Sequence, residues 1–547
     1  MCARESGGSD RYAGGAGRLL TLPERYRPSH TSAGQSLPAR LALVAPFLLL
    51  LAVNSWHHVL WGDELHAWGI VTGSADLREM FGNLHYDGHP GLWHLMLWPG
   101  RAVTSSPAWM RLVAFAVGTA IVLTIGLAAP FSLAEKTLLL LNYYIVFEYT
   151  VMVRNYGIGL LLAMFYAIVR TSARHIATRE GGVDPRAPGD AWIRSLLIGL
   201  LLGLMANANV YALFLSGFLA LEYAWSQSFE WARPARADLI RLLPGGLLFV
   251  ALVLFSAWTF FPPADIGHSA NALKDRDPDT LRRLAVAALR TLVAPFVPID
   301  LSFPDSFAFP GNWYERGKRV TIMAVLLPFV LAAQWTVLRH RKPLALALAG
   351  TAATATLFAF LFWPAAIRHL GALWTGFIVA WWLVRDRLPA RSWPMLALLT
   401  VGALGGVAAQ AGQWMRPFST SAAVATWIRE NGYAETATVG DWDWGIEPVA
   451  VLLRHPFYSV DCQCTDRFAT LRHRDNGYNA SMLPDRLAQY VETSGQAPFL
   501  LLLEARLDPE SRAAIVAKRF KLTEVAYFSG AERDKEMAIY RVDRTPR

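Results

Sequence analysis

The chain has 547 residues, of which 54% are hydrophobic and only 17% are charged. Soluble globular proteins carry about 25% charged residues, so a single water-soluble domain is excluded, as is disorder over most of the length. Three cysteines, Cys2, Cys462 and Cys464, are too few for a disulfide scaffold or a cysteine-built zinc cluster. The net charge of +9 makes the placement of the basic residues the next question.

The first 37 residues are rich in Gly, Ser and Arg and contain no long apolar run. This composition predicts a disordered tail at 1–37. No small-residue cleavage site follows the first apolar block, so we expect that block both to target the chain to the membrane and to anchor it there.

The apolar residues that follow lie in blocks, and a bilayer core needs roughly 20 apolar residues per helix. The pattern predicts an all-α polytopic membrane domain at 38–414 with about 11 transmembrane helices. A shorter apolar stretch, 90–103, is interrupted by Pro and Gly and is predicted to lie along the membrane surface. The candidate spans are 41–60, 107–128, 137–153, 156–170, 194–208, 210–226, 242–261, 320–338, 343–362, 366–384 and 393–412.

The basic residues favour one side of this predicted membrane domain. If the tail is cytoplasmic, the tail and the cytoplasmic connectors hold the whole basic excess, and the rest of the chain is slightly acidic. That is the positive-inside distribution of an inner-membrane protein. It predicts a cytoplasmic N-terminus, and it makes a nucleic-acid partner an unnecessary explanation for the positive charge.

Three segments are then expected outside the membrane: a first loop at 61–106, a second at 262–318, and the C-terminal part at 415–547. The stretch 279–297 has a helical pattern, with arginines beside an Ala/Leu/Val face. The C-terminal part predicts a small α/β domain. Its predicted helices are 421–431, 483–493 and 509–518, and its predicted strands are 499–503, 522–528 and 537–542.

The first outer loop carries the densest group of polar residues. Asp63 and Glu64 directly follow the first span, where adjacent carboxylates repel anionic lipid head groups. Two interpretations stay open: a helix start capped by Asp63, or a catalytic carboxylate. Further along, His85, Asp87 and His89 alternate beside Gly and Pro, which indicates a rigid loop that presents polar side chains. Interfacial histidines explain this pattern better than a metal site does.

Cations also collect at the outer ends of predicted spans. Arg154 and Tyr156 lie in one tight turn, and Arg368 and His369 begin the tenth span. Because the positive-inside rule disfavours arginine at an outer end, each arginine requires an anionic partner. Phosphate is one such partner, since guanidinium binds it with two parallel hydrogen bonds. The alternatives are a snorkelling side chain or a pair with a loop acid.

At these residues the chain resembles the GT-C class of integral-membrane glycosyltransferases. The nearest group is that of the dolichyl-phosphate-mannose–protein mannosyltransferases, with bacterial relatives that use polyprenyl-phosphate sugars. The likeness covers about residues 40–410, in motif order and in sidedness. The matching motifs are Asp63-Glu64, His89-Pro90-Gly91-Leu92-Trp93-His94-Leu95, Tyr149-Thr150-Val151-Met152-Val153-Arg154-Asn155-Tyr156 and Arg368-His369-Leu370.

The resemblance implies that Asp63 is the general base that deprotonates the acceptor, and that Glu64 assists by positioning. His89 stands where relatives often carry a Lys that binds the lipid phosphate. The cations implied to neutralise the departing phosphate are Arg154, Arg368 and His369. The substrate-binding set is completed by His85, Asp87 and Tyr156.

Several positions depart from the family pattern. Gly91 replaces a second Pro, and His369 replaces the usual Tyr. Gly88 stands where some relatives have a Glu that helps to bind metal, so no metal site and no firm cofactor are carried over. Tyr156 takes the place of an Asp found in some relatives, which leaves the acceptor chemistry open.

The expected partners are therefore a polyprenyl-phosphate-linked sugar donor, membrane lipids, and a glycan, lipid or protein acceptor. The runner-up is a transporter or flippase of a lipid-linked saccharide, although the sequence shows neither related halves nor charges at mid-membrane. A third hypothesis is a membrane-anchored binding module, in which Asp441-Trp442-Asp443-Trp444 stacks a sugar. A strand end with packed tryptophans is the simpler interpretation of that motif. Cys462-Gln463-Cys464 is too closely spaced for an ordinary disulfide loop and is assigned no function.

Overall fold

The computed structural model is a mostly helical chain with a small C-terminal sheet domain. The predicted tail 1–37 lies almost entirely outside the residues that the structure describes, as does much of the predicted loop 262–318. The described residues are 35–179, 188–229, 236–263, 280–298, 318–361, 366–389, 392–441, 443–470, 478–532 and 536–545.

Among the described residues, 7 helices are long and apolar enough to cross a membrane. Three shorter apolar helices coincide with further predicted spans, so every predicted span except 137–153 is a helix. The long helices are Leu37–His57, Ala108–Ala128, Ile240–Phe260, Val320–Leu338, Lys342–Leu361, Ile367–Arg387 and Trp393–Met415. The shorter ones are Tyr156–Ser172, Trp192–Ala206 and Val210–Ser226.

The first predicted outer loop folds into four short helices that follow helix α1 (Leu37–His57). The stretch 90–103 is helical as expected, but Pro99 and Gly100 divide it into two pieces. The four helices are α2 (Gly62–Gly73), α3 (Leu77–Asp87), α4 (Leu92–Leu97) and α5 (Gly100–Val103).

The remaining helices of the membrane domain follow in chain order. The predicted helix at 279–297 is present as α12. Most of the other helices are the spans named above. The remaining helices are α6 (Ala108–Leu123), α7 (Leu133–Leu140), α8 (Tyr156–Arg179), α9 (Pro188–Ala206), α10 (Val210–Phe229), α11 (Arg236–Phe260), α12 (Thr280–Val293), α13 (Lys318–Leu338), α14 (Lys342–Leu361), α15 (Ile367–Val384) and α16 (Trp393–Met415).

The predicted span 137–153 is wrong as a single helix. Helix α7 ends at Leu140, and a separate π-helical turn follows at Tyr144–Glu148. Asn142 lies at the break, where its side-chain oxygen accepts the Tyr144 N–H at 3.1 Å. Asparagine side chains compete in this way with helical hydrogen bonds. The π-helical turn is buried and α7 is partly buried, and both are mostly apolar, so composition alone did not distinguish them from a membrane-spanning helix.

The C-terminal part is a domain with a mixed six-stranded sheet in the order β3-β2-β1-β4-β6-β5. Strand β1 is parallel to both of its neighbours, and the other pairs are antiparallel. The predicted helices and strands of this domain are confirmed, whereas strands β1 to β3 and helix α18 were missed. The elements are α17 (Ser421–Glu430), β1 (Thr438–Gly440), α18 (Asp443–Leu453), β2 (Phe457–Ser459), β3 (Cys464–Asp466), α19 (Leu483–Ser494), β4 (Phe499–Leu503), α20 (Pro509–Ala517), β5 (Phe520–Ser529) and β6 (Glu536–Arg544).

Two motifs noted in the sequence lie in this domain, and both have a structural explanation. Cys462 and Cys464 form a disulfide at the turn into β3, so the argument from their spacing was wrong. In the Asp441–Trp444 motif, strand β1 ends just before the motif and helix α18 begins inside it. The Trp444 ring packs against His66, with 4.6 Å between ring centroids, which agrees with the packing interpretation.

The sheet domain docks on the membrane domain through one face of α2. Gly62, Gly69 and Gly73 lie on this face at helical spacing and leave room for α18 and for the loop after β3. A Cβ atom added at Gly69 would lie 2.9 Å from the Phe468 Cβ and 3.1 Å from the Glu447 carboxylate. A Cβ atom at Gly73 would lie 2.7 Å from the Phe468 ring. The glycines therefore set the close approach of the two domains.

We expect Gly69→Ala to destabilise the protein by roughly 1–3 kcal/mol, because the added methyl group overpacks the interface between α2 and the sheet domain. Gly82→Ala in α3 is the matched control, since its Cβ meets no atom within 4 Å and both substitutions gain the same helix propensity. Thermal unfolding of the two purified variants measures the difference. Equal melting temperatures would contradict the interpretation of Gly69 as a contact glycine.

Candidate active site

Asp63 and Glu64 both lie in the first turn of α2, but their carboxylates make different contacts. The Glu64 carboxylate is fully buried and accepts hydrogen bonds from the Trp61 N–H at 3.1 Å and from His58 Nε2 at 2.9 Å. It also accepts the Val153 N–H, which joins this turn to the segment that carries Arg154. The predicted helix start is therefore present, but Glu64 caps it and Asp63 does not.

Asp63 lies between two arginines that are distant in the sequence. Its Oδ2 atom is 2.9 Å from Nη1 of Arg154, just before α8, and 2.8 Å from Nη2 of Arg368, in the first turn of α15. The Asp63 side chain is 29% exposed, whereas the two arginine side chains are 9% and 17% exposed. The three groups carry one positive charge more than negative charge. By charge, these three groups can therefore pair with one further anion.

Tyrosines fix the start of α15, which carries Arg368 and His369. Tyr149 donates its hydroxyl hydrogen to the Arg368 carbonyl at 2.8 Å, and Tyr144 donates to the Ile367 carbonyl at 3.2 Å. His369 accepts the Ala366 N–H through Nδ1 at 2.9 Å, so this ring caps the helix start. These contacts fix the backbone at the start of the helix, from which the Arg368 side chain projects.

Tyr156 and His369 form an aromatic wall beside the arginines. The His369 ring stacks on Tyr211, with 5.2 Å between centroids and 1° between planes, and lies 5.7 Å from the Tyr156 ring. The Arg154 guanidinium lies 5.8 Å from the centroid of Tyr156, within range of a cation–π contact. The structure therefore brings both predicted aromatic residues to the cluster, as neighbours of the cations.

His89 and Asp87 extend the cluster away from Asp63. His89 Nε2 is 3.4 Å from Nη2 of Arg154, and its Nδ1 is 3.1 Å from Oδ2 of Asp87. The chain reverses at Gly88, whose φ of +74° is a conformation that favours glycine. His85 points elsewhere: its Nδ1 is 3.1 Å from the Phe261 carbonyl and its ring packs on Trp258. His85 therefore contacts the end of α11, whereas Asp87 and His89 belong to the cluster.

The structure adds His66 and Glu447 to the predicted residues. His66 Nε2 is 3.2 Å from Oδ1 of Asp87, and its Nδ1 is 2.8 Å from Oε1 of Glu447 in α18. His66 belongs to the first-loop motif and shares the helical spacing of the α2 glycines, which is a signal that could have identified it. Glu447 carries no such signal, because it lies 381 residues further along the chain.

The buried charged groups of this cluster shift one another's pKa values. Burial alone would lower the pKa of His66, but the Glu447 and Asp87 carboxylates outweigh burial and raise it to about 10. Burial would raise the pKa of Asp87, and the nearby His89 and His66 rings instead hold it well below its usual range. His66 is therefore a cation and Asp87 an anion at neutral pH.

His94 in α4 is a further residue that the sequence analysis did not single out. Its side chain is buried, and among the described residues neither ring nitrogen has a hydrogen-bond partner. Burial lowers the pKa of His94 to about 3, with Asp87 acting in the opposite direction. This histidine is neutral at any physiological pH.

The helical membrane bundle, with a small sheet domain docked beside the cluster, has the GT-C fold. The solved structures that share it include ArnT from Cupriavidus metallidurans bound to undecaprenyl phosphate, at 14% identity and a TM-score of 0.50. The apo state of the same protein matches with a TM-score of 0.51. Each match covers 91% of this chain and 97% of the ArnT chain.

ArnT is a GT-C glycosyltransferase, so the resemblance inferred from the motifs is confirmed at the level of the fold. No family model matches the chain. No curated protein matches it either. At 14% identity the structural likeness shows the fold, and the chemistry must be argued from the residues of this chain.

The His66–Glu447 pair predicts a pH-dependent stability. The pKa of His66 is raised from its ordinary value of 6.5 to about 10 in the folded protein. The stabilisation by charged His66 is therefore complete below pH 6.5 and is lost as the pH rises through about 10. We expect the melting temperature of the native protein to fall more steeply over this range than that of Glu447→Gln, because the variant lacks one of the two anions that stabilise the cation. Thermal unfolding of both proteins across the range measures the two slopes, and equal slopes would contradict the assignment.

Proposed function

We propose that this protein is a glycosyltransferase that moves a sugar from a polyprenyl-phosphate donor to an acceptor at the outer face of the inner membrane. The observation that carries the proposal is the convergence of Arg154 and Arg368 on the Asp63 carboxylate. The fold supports it, since ArnT shares this fold and its structure contains undecaprenyl phosphate. The acceptor is a glycan, a lipid or a protein.

The arginines supply the charge that the reaction requires. When a sugar leaves a phosphate, the anomeric carbon becomes oxocarbenium-like and negative charge grows on the phosphate oxygens. Cations held in place before the reaction lower that barrier most where water is scarce. Arg154 and Arg368 are mostly buried and are held by their contacts with the first loop and with the start of α15. They are suited to bind the donor phosphate and to stabilise it as it departs.

Asp63 is the best candidate for the general base. Among the cluster's first-loop carboxylates, Glu64 is fully buried and bonded to His58, Trp61 and Val153. Asp87 is 8% exposed and bonded to His66 and His89. Asp63 is 29% exposed and is the carboxylate that an acceptor can approach. Attack by a deprotonated acceptor opposite the leaving phosphate gives inversion at the anomeric carbon.

The placement in the membrane follows from the charge pattern. We propose a cytoplasmic tail at 1–37, a GT-C-like membrane domain at 38–414 and an extracytoplasmic domain at 415–547. The positive-inside distribution supports this orientation. The active-site cluster and the docked sheet domain both contact α2, so they lie on the same side of the membrane.

A transporter or flippase remains the second candidate function. It would move the lipid-linked saccharide without breaking a bond, and its binding site would lie near the middle of the membrane. The site residues described above instead lie in the first loop, just before α8 and in the first turn of α15, which the proposed orientation puts at the outer face. Cleavage of the sugar–phosphate bond therefore separates the two functions.

We expect Asp63→Asn to lower sugar transfer by about 10²–10⁴-fold, the range lost with a general base. The same variant should bind undecaprenyl phosphate at least as tightly as the native protein, because both arginines lose a competing anion. Transfer from a radiolabelled polyprenyl-phosphate sugar and binding of undecaprenyl phosphate measure the two effects.

Asp485→Asn is the control for this experiment, since Asp485 is 71% exposed and pairs with Lys518 at the surface of the sheet domain. It should match the native protein in both assays. Undiminished turnover by Asp63→Asn would reject Asp63 as the base. Movement of labelled lipid across the bilayer without bond cleavage would favour the transporter.

We expect Arg154→Gln and Arg368→Gln each to weaken the binding of undecaprenyl phosphate roughly tenfold to hundredfold, which corresponds to one lost charge-assisted hydrogen-bonding group. Lys in place of either arginine should restore part of the affinity, because it keeps the charge but loses the paired geometry. Equilibrium binding in detergent micelles tests both substitutions. Native affinity in either Gln variant would remove that arginine from the phosphate site.

A further inference from the structure

The sheet domain contributes one fully buried carboxylate to the surface of α2. Glu447 in α18 has no solvent exposure and lies 2.8 Å from His66 Nδ1. A buried charge persists when it is paired and hydrogen-bonded. Close packing against the Gly69 backbone makes this depth possible, since any side chain at that position would meet the Glu447 carboxylate. The contact is thus part of how the two domains fit together.

The hydrogen-bond geometry fixes how protons are distributed along this contact. Both nitrogens of His66 face carboxylates, Glu447 on one side and Asp87 on the other. A neutral imidazole carries one N–H and can donate to one of them, so His66 is doubly protonated and donates to both. It thereby holds Asp87 in one orientation.

The same logic continues from Asp87 to the arginine. The guanidinium of Arg154 has only donors, so His89 Nε2 accepts from it at 3.4 Å. The hydrogen of His89 is therefore on Nδ1, where it is donated to Asp87 at 3.1 Å. Each group from Glu447 to Arg154 orients the next one, and Arg154 is in direct contact with Asp63.

We propose that Glu447 is a positioning residue for donor binding, which acts on Arg154 through His66, Asp87 and His89. The proposal rests on the glycosyltransferase function and adds to it that the sheet domain completes the phosphate site. Without the Glu447 carboxylate, His66 loses one of its two acceptors and no longer holds Asp87 and His89 in a single arrangement. Arg154 then keeps its charge, but its guanidinium group is no longer held in one orientation.

A purely structural role for Glu447 predicts a different result. If Glu447 only attached the sheet domain to α2, its loss would lower thermal stability and act independently of His89. If it acts through His89, its effect on phosphate binding must disappear once His89 is replaced, because the connection is already broken. A double-mutant cycle distinguishes these two roles.

The experiment uses the full-length protein in detergent micelles with undecaprenyl phosphate as the probe. We expect Glu447→Gln to weaken binding about tenfold, a typical loss for residues coupled within one network. In the His89→Gln background, the same substitution should have no further effect. Glu435→Gln is the control, since Glu435 is a 91% exposed glutamate of the same domain. It should leave the affinity unchanged.

His66→Gln provides a second variant that interrupts the same connection from the membrane domain and does not alter the sheet domain. It should reproduce the tenfold loss and the absence of a further effect beside His89→Gln. Native affinity in both single variants, or equal losses with and without His89, would overturn the positioning role alone. A native protein that does not bind undecaprenyl phosphate would overturn the proposed function, and this inference with it.

Discussion

The electrostatic pairing of Asp63 with Arg154 and Arg368 is the interaction on which the site depends. Two mostly buried guanidinium groups are costly unless an anion accompanies them, because each loses hydration. One carboxylate pairs with both arginines through a single oxygen atom. These three groups on their own carry one net positive charge. In the proposed reaction that charge pairs with the donor phosphate.

Helix α2 connects this pairing to the rest of the fold. Its first turn carries Asp63 and, through the buried Glu64, is joined to the segment that presents Arg154. One turn later, His66 contacts the sheet domain, and the glycines of the same face admit α18 at close range. The proposed role of Glu447 follows from this connection, since the contact between the sheet domain and α2 adjoins the groups that surround the proposed phosphate site.

Two adjacent acids in the sequence have different tasks in the structure. Glu64 is buried and supports the helix start, whereas Asp63 is the more accessible carboxylate and faces the arginines. The three polar residues at 85–89 also divide: Asp87 and His89 join the cluster, and His85 contacts the end of α11. Proximity in the sequence brings such residues to one loop, but the direction of each side chain depends on its position along a helix.

The sequence alone predicted the membrane helices and part of the sheet domain, because hydrophobic periodicity is a local property of the chain. Its charge bias is likewise local and predicts the sidedness on which the proposed orientation rests. It also indicated Asp63, Arg154 and Arg368 as site residues. Only the tertiary structure decided that 137–153 is broken at Asn142, that Glu64 is internal, and that Glu447 reaches His66. Asp63 and Arg368 are 305 residues apart, and Glu447 and His66 are 381 apart. Contacts over such separations depend on how whole helices pack, and no local pattern encodes them.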